Sequence, residues 1–374
     1  MIGRIAWRAA RPVVSAARRG VATARTMGWA PATRLFVVGD GSGWSIDDDA
    51  VQISAIAARN GCELAPAAWA PYVRRQAVFL PSHFSALRPR WLDSTHRLGL
   101  AYFHGRPGTP GHPEFDEVLE VLRRNAARVD RVQVTHEEMH ELVVSAGVAE
   151  GRVFRIPIGI DIDRFPLVDA RLRSGARHAL GLADGAFVVG SFQKDGVGWG
   201  DGLVAKPVKG PDVLVAALAL IREHVPELVV LLTGPARGYV RGQLQRRGIP
   251  YTHVRLDARE RLAQAYHALD AYLVPSNQEG GPKSALESLA TGVPLVSTRV
   301  GQVPEIVEDG QSALLADVGD AETLASHVLR LHEHAELVSA LRERGRATAE
   351  AHTYAALDDR WGMLFEGFVH RTPG

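Results

Sequence analysis

Residues 275 to 287 read Pro275-Ser276-Asn277-Gln278-Glu279-Gly280-Gly281-Pro282-Lys283-Ser284-Ala285-Leu286-Glu287. The apolar run before them, Ala271 to Val274, is expected to be a buried strand. Gly280 and Gly281 suit a sharp backbone turn, and Pro282 suits the first position of a helix that continues through Leu289. On that reading Glu279 lies in the loop and Glu287 about a turn and a half inside the helix. Two carboxylates then flank a helix N-terminus whose free amides, at Lys283, Ser284 and Ala285, attract phosphate. The stretch is therefore expected to hold a phosphorylated, hydroxyl-rich ligand. A turn and helix start with two solvated glutamates is the plainer reading of the same residues.

Strand and helix alternate on both sides of this stretch, which argues for parallel sheets. Upstream, strands are expected at Leu35 to Gly39, Leu64 to Ala68, Ala77 to Leu80, Leu98 to Phe103, Val132 to Val134 and Val153 to Ile156. Helices are expected at Ala50 to Asn60, Glu114 to Val129 and Glu138 to Ala146. Beyond Phe165 the alternation is cleaner, with strands at Phe187 to Gly190, Leu228 to Thr233, His253 to Leu256, Ala271 to Val274, Leu295 to Ser297 and Ala313 to Leu315. A last helix spans about Leu357 to Phe368.

The spacing Glu279-x7-Glu287, followed by Ala290-Thr291-Gly292-Val293-Pro294, resembles the signature of retaining GT-B glycosyltransferases, specifically glycosyltransferase family four. Pro157-Ile158-Gly159-Ile160-Asp161 with Phe165 is similar to the linker that joins the family's two domains. The resemblance implies an α/β protein of GT-B type, in which two Rossmann-like, doubly wound domains face each other across a cleft and a C-terminal helix crosses back to the first. The expected division is a basic segment at 1–33, an acceptor-binding domain at 34–163 with the return helix 352–374, and a donor-binding domain at 164–351. It also implies a retaining hexosyl or related transferase that moves sugar from a nucleoside-diphosphate sugar to a hydroxyl of a glycan, a lipid-linked or a small-molecule acceptor. No cofactor or metal is required by that scheme, and no nucleic-acid partner is expected.

The same resemblance distributes the roles. Glu279 lies beside the donor sugar, and Glu287 holds the ribose. Lys209, in Lys209-Gly210, grips the diphosphate, and Gly280, Gly281, Lys283, Ser284 and Ala285 line the donor site. A second basic residue is usually an arginine; here a glycine-rich insertion, Asp195 to Val208, leaves Lys194 and Lys206 in competition for the place. His104, in Phe103-His104-Gly105, is similar to the family's histidine beside the donor sugar, a buried structural histidine being the alternative.

Lysine usage points the same way from the residues alone. Lys194, Lys206, Lys209 and Lys283 are the only lysines among 43 basic residues, and all fall in loops expected at the carboxyl edge of the second sheet. Ligands of open α/β sheets bind at that edge, where an ammonium acts as a compact point charge. The loop Gly39-Asp40-Gly41-Ser42-Gly43-Trp44 resembles a dinucleotide fingerprint only loosely, and Trp44 offers a flat face to an acceptor sugar.

Other classes leave traces. His136-Glu137-Glu138-Met139-His140 matches the zinc-peptidase pattern H-E-x-x-H, which needs two histidines on one helix face and a third ligand downstream. Ala146 stands at the near spacing and Ile160 near the farther one, so the third ligand is missing. Asp47-Asp48-Asp49 suits the acidic opening of a helix better than metal-diphosphate binding. A sugar-nucleotide epimerase of the same architecture remains an alternative.

Bulk properties fit these expectations. At 374 residues the chain is long enough for two domains that each bury a core. No apolar run approaches the roughly 18 residues of a membrane span, and the single cysteine, Cys62, excludes an internal disulfide and fits a reducing cytoplasm. Before Asp40 there is no acidic residue, whereas Arg4, Arg8, Arg11, Arg18, Arg19, Arg25 and Arg34 are basic. Such a segment suits an amphipathic helix on an anionic membrane, a transit peptide or a tail. The protein is expected in the cytoplasm, with peripheral attachment to the inner face of a membrane as an option.

Overall fold

A computed structural model describes residues 34–41, 45–256 and 260–372. The basic segment 1–33 and residues Ser42, Gly43 and Trp44 of the first loop lie outside the described residues. By contacts the chain forms two compact units, the first running to Ile156 and taking in the chain from Leu357, the second spanning Pro157 to Ala356. The linker motif thus belongs to the second unit, whereas the sequence reading placed the boundary after Asp163.

In the first unit β1 (Leu35–Val37), β2 (Ala77–Leu80), β3 (Arg97–Ala101), β4 (Val129–Val134) and β5 (Val153–Arg155) form one parallel sheet in the order β1-β2-β3-β4-β5. Most of their side chains are buried, as a sheet covered by helices on both faces requires. The strand expected at Leu64 to Ala68 does not form. Leu64 makes only an isolated bridge to Leu35, and Ala67–Tyr72 is a 3-10 helix. Pro66 and Pro71 flank and enter that segment without an amide to give to a ladder, which explains the difference.

The last helix is Asp358–Phe365, shorter than expected, and it covers one face of this first sheet. Trp361 meets Phe79 edge-on with ring centroids 5.6 Å apart. Gly99 lets the ring of Phe368 come close, since a Cβ there would lie 2.7 Å from Phe79 and 3.0 Å from Phe368. The guanidinium of Arg59 binds both oxygens of Asp358 at 2.8 and 2.6 Å, and Arg97 and Arg131 donate to the carbonyls of Gly367 and Leu364 at 2.7 and 3.0 Å.

The second unit holds β6 (Phe187–Ser191), β7 (Leu228–Thr233), β8 (Tyr251–Val254), β9 (Ala271–Val274), β10 (Leu295–Thr298) and β11 (Leu314–Ala316), parallel throughout. Their order is β11-β10-β9-β6-β7-β8. Alternation along the strands feeds two cores: Val188, Leu231, Tyr272 and Val274 point to one, Val189, Leu232, Leu273 and Val296 to the other. The chain winds outward from β6 through β8, returns to β9 and winds the other way. That reversal between β6 and β9 opens a crevice at their carboxyl ends, the usual ligand position in such sheets.

Candidate donor site at the strand reversal

The loops that leave β6 and β9 carry the residues singled out by the sequence, and the structure stitches them together. Lys209 Nζ donates to Glu279 Oε1 at 2.6 Å, with the two side chains only 23% and 11% exposed. The buried Ser276 hydroxyl stands 2.8 Å from that same oxygen and 2.9 Å from Gln193 Oε1. Gln193 Nε2 in turn donates to the Lys209 carbonyl at 2.8 Å. Backbone amides of Asn277 and Gln278 both reach the Val208 carbonyl at 3.0 Å, and Asn277 Nδ2 reaches the Pro207 carbonyl at 2.8 Å.

Gly210 makes this approach possible. Its φ is +58°, and a Cβ there would stand 2.0 Å from the Pro275 carbonyl oxygen. The result is a half-buried ammonium neutralised by one carboxylate at the sheet's carboxyl edge. An incoming diphosphate would compete with Glu279 for the Lys209 ammonium, so anion binding and carboxylate release are linked there.

The helix after this loop is Lys283–Thr291, with Pro282 as its N-cap, not its first residue. Gly280 and Gly281 are absent from the positive-φ residues. Gly281 is needed for closeness instead, because a Cβ there would meet Gln302 Oε1 at 2.5 Å and Ile158 Cδ1 at 3.0 Å. Gln302 fastens the loop by accepting from Ile158 N at 2.7 Å and donating to the Ile158 carbonyl at 3.1 Å. Of the three amides expected to be free, that of Ala285 donates to the Pro282 carbonyl at 2.9 Å. A closing turn at the N-cap has claimed it. Inside the helix, Glu287 Oε2 accepts from the Tyr266 hydroxyl at 2.9 Å.

Lys194 and Lys206 stand at the two ends of the insertion. The insertion is a tied hairpin: Gly196 bridges Ala205, Val197 N donates to the Val204 carbonyl at 2.9 Å and Lys206 N to the Asp195 carbonyl at 2.8 Å. Its glycines press on the loop after β7, where Cβ atoms on Gly196 and Gly202 would come within 2.4 and 2.5 Å of Ala236 backbone. Lys194 Nζ lies 3.5 Å above the ring centre of Trp199 on the same hairpin, a cation–π contact, and partial burial lowers its pKa. The structure thus gathers Lys209, Glu279, Ser276 and Gln193, but directs Lys194 onto Trp199.

Three residues of importance here had no sequence signal. Arg237, wholly buried, lies with Nη2 2.9 Å from Asp195 Oδ2 and donates from Nη1 to the carbonyls of Ser191 and Thr233 at 2.5 and 3.3 Å. Burial pushes the Asp195 carboxyl up, against the lowering effect of Arg237. Tyr266 is equally buried and reads in the sequence as one more core aromatic.

His104 belongs to the first unit, in the loop after β3. Its ring meets those of His83, Phe84 and Phe115 at centroid distances of 5.7, 6.0 and 5.8 Å. His83, which follows β2, is buried and stacks on Tyr102 at 4.1 Å, and burial holds its pKa well below the usual histidine value. Both histidines stand at the carboxyl ends of adjacent strands.

The zinc-like pattern takes another form. His136 is the extended N-cap of the helix Glu137–Ser145, so it does not share a helix face with His140. Its Nδ1 lies 2.9 Å from Thr135 Oγ1, and Glu137 is ion-paired with Arg155. Among the described residues no three His, Cys, Asp or Glu side chains are grouped to hold a metal ion. Asp47 and Asp48 open the helix Ser45–Arg59, and Asp47 Oδ1 accepts from Gly41 N at 3.0 Å.

Comparison with known proteins adds a family match over part of the chain. Residues 200–334 match the model described as Glycosyl transferases group 1. D-inositol 3-phosphate glycosyltransferase 2 of Catenulispora acidiphila is 33% identical over 233 residues, which cover 57% of this chain and 49% of that protein. The D-inositol 3-phosphate glycosyltransferase of Corynebacterium jeikeium is 28% identical over 288 residues, covering 74% and 66%. The chain spans about half the length of the first curated relatives it matches. Among solved structures, Anabaena Alr3699/HepE in complex with UDP-glucose superposes with a TM-score of 0.72 at 16% identity, over 90% of this chain and all of that one. Sucrose-phosphate synthase from Thermosynechococcus elongatus gives 0.64 at 23% identity, over 78% and 73%.

Proposed function

Starting from a GT-B chain whose residues 200–334 match the Glycosyl transferases group 1 family, we propose a glycosyltransferase that uses a nucleoside-diphosphate sugar and retains anomeric configuration. The Lys209–Glu279 pair at the strand reversal carries the reading, because it combines a phosphate-binding cation with a carboxylate suited to sugar hydroxyls. In the proposed reaction the donor's diphosphate displaces Glu279 from Lys209 and lies against the N-terminus of the helix Lys283–Thr291. Glu287 accepts hydrogen bonds from the ribose, and Glu279 from the sugar.

The glycosidic bond to the diphosphate breaks as an acceptor hydroxyl attacks from the same face. The leaving phosphate oxygen takes the hydroxyl proton. Lys209 and the helix amides stabilise the charge that develops on the leaving group, and Lys194 joins them if it leaves Trp199. By the resemblance, His104 serves beside the donor sugar, and the first unit takes the acceptor. The names of the curated relatives make D-inositol 3-phosphate the first acceptor to try.

The test combines calorimetry and turnover. Glu287→Ala should weaken binding of the free nucleoside diphosphate, whereas Glu279→Gln should mainly lower turnover. Equal loss of nucleotide affinity in both folded variants would overturn these roles. Cytoplasmic location with peripheral membrane contact through residues 1–33 is part of the proposal. Among the described residues no helix is long and apolar enough to cross a membrane. Deleting the segment should abolish co-sedimentation with anionic vesicles, and unchanged binding would refute that part.

A further inference from the structure

The Tyr266 hydroxyl has one proton and three oxygens within reach, Glu287 Oε2 at 2.9 Å, the Ser284 carbonyl at 3.3 Å and the Tyr272 hydroxyl. The shorter distance and the negative charge assign the proton to Glu287. Tyr266 cannot swing away from this contact. It is wholly buried, and its ring is wedged against Phe192 at 4.8 Å, Tyr272 at 5.1 Å and Phe165 at 6.2 Å between centroids. Tyr272 is itself fixed, because its hydroxyl accepts from Phe192 N at 3.0 Å.

The cluster joins the four elements that frame the strand reversal. Phe192 leaves β6, Tyr272 is in β9, Tyr266 is in the helix Glu260–His267 and Glu287 is in the helix Lys283–Thr291. A glutamate on an isolated helix would sample several rotamers. Here one of its oxygens is held by a donor whose own position is set by three packed rings. Burial also keeps that donor protonated, since it pushes the tyrosine hydroxyl well above its ordinary pKa.

We propose that Tyr266 is a positioning residue for nucleotide selection: by holding Glu287 Oε2 it aims the carboxylate at a vicinal diol, so that ribonucleotides are preferred over deoxyribonucleotides. A carboxylate oxygen has two lone pairs, so holding Oε2 does not stop both oxygens from accepting the two ribose hydroxyls. The inference rests on the proposed role of Glu287 and adds to it the origin of sugar selectivity.

The test measures dissociation constants of UDP and 2′-deoxy-UDP, and of GDP and 2′-deoxy-GDP, for the parent, Tyr266→Phe, Glu287→Gln and the double variant. The ribo-to-deoxy preference is read from the tighter pair. The parent should prefer the ribonucleotide, and Glu287→Gln should bring the ratio to about one. Tyr266→Phe should cut it by roughly fivefold, the worth of one hydrogen bond. In the double variant the ratio should fall no further than in Glu287→Gln. A purely structural role for Tyr266 would lower affinity for both nucleotides alike and leave the ratio at the parent value; with Glu287→Gln selective and Tyr266→Phe not, the inference is overturned alone. A parent without any ribo preference would overturn the role of Glu287 and the inference together. Melting temperatures of the variants identify loss of fold, and Tyr266→Phe removes only the hydroxyl from a ring that stays packed.

Discussion

Removing one half of the Asp195–Arg237 pair should be the most damaging single change in the second unit. Both side chains are fully buried, and Nη2 stands 2.9 Å from Oδ2. In Arg237→Met the carboxylate of Asp195 keeps its desolvation and loses its only salt-bridge partner among the described residues, and the Ser191 and Thr233 carbonyls lose the guanidinium. Breaking a buried pair in this way costs about 3 to 5 kcal/mol. Domains of this size have on the order of 5 to 15 kcal/mol in total, so the variant should approach the unfolding threshold at physiological temperature. Asp195→Asn keeps the shape and strands the guanidinium instead, with a loss of similar size. Replacing both, as Asp195→Leu with Arg237→Met, removes the stranded charge, and the double variant should be more stable than Arg237→Met alone. Urea unfolding followed by tryptophan fluorescence measures the three midpoints at constant slope. If Arg237→Met lies within about 0.5 kcal/mol of the parent, the pair is not a buried ionic clamp.

Other expectations are more local. Gly210→Ala should destabilise the second unit by more than about 1 kcal/mol, since it forces a Cβ onto the Pro275 carbonyl at a left-handed position; thermal unfolding reads it. His136 and Arg106 hold the Glu138 carboxyl down at about 2, although the 2.6 Å bond from Arg106 is much closer than the 3.8 Å contact with His136. A depressed carboxyl stabilises the fold above the ordinary value of about 4.3, and the contribution fades as pH falls through about 2. Solvent screening at this half-exposed side chain limits it to about 1 kcal/mol, so Glu138→Gln should melt lower at pH 7 and match the parent near pH 2. Burial pushes the Cys62 thiol up to about 11, and a thiol reagent at pH 8 should label it at the rate of unfolding; immediate labelling would contradict its burial.

Much of the architecture was legible because buried parallel strands are short apolar runs bounded by turn residues. Phe187–Ser191, Leu228–Thr233 and Ala271–Val274 announce themselves in that way. The segment at Leu64 to Ala68 has the same apolar content, but the prolines around it removed the amides a ladder needs. At the candidate site, Lys209 and Glu279 were readable from composition and spacing, and their contact at 2.6 Å was not. Arg237 is one arginine among 39, in a sequence with no marker of burial, and only the fold reveals that Asp195 waits beside it. Tyr266 shows the same limit, since a core aromatic and a hydrogen-bond donor to the Glu287 carboxylate have the same letter. The amide of Ala285 failed as an expectation because the N-cap turn uses a hydrogen bond that no spacing rule supplies.

The first unit takes its final helix from the far end of the chain, while the second is one continuous stretch, Pro157 to Ala356. Synthesis from the N-terminus therefore delivers every residue of the second unit before the first has received Trp361, Leu364, Phe365 and Phe368. Until those side chains emerge, the face of the first sheet that holds Phe79 and Gly99 lacks its cover. The part made first is thus finished last, and the nascent chain carries an open hydrophobic face for the whole time the ribosome needs to translate the intervening 200 residues. A premature stop between Ala356 and Trp361 would leave a folded second unit attached to a first unit exposed in the same way, a product for chaperones and proteases.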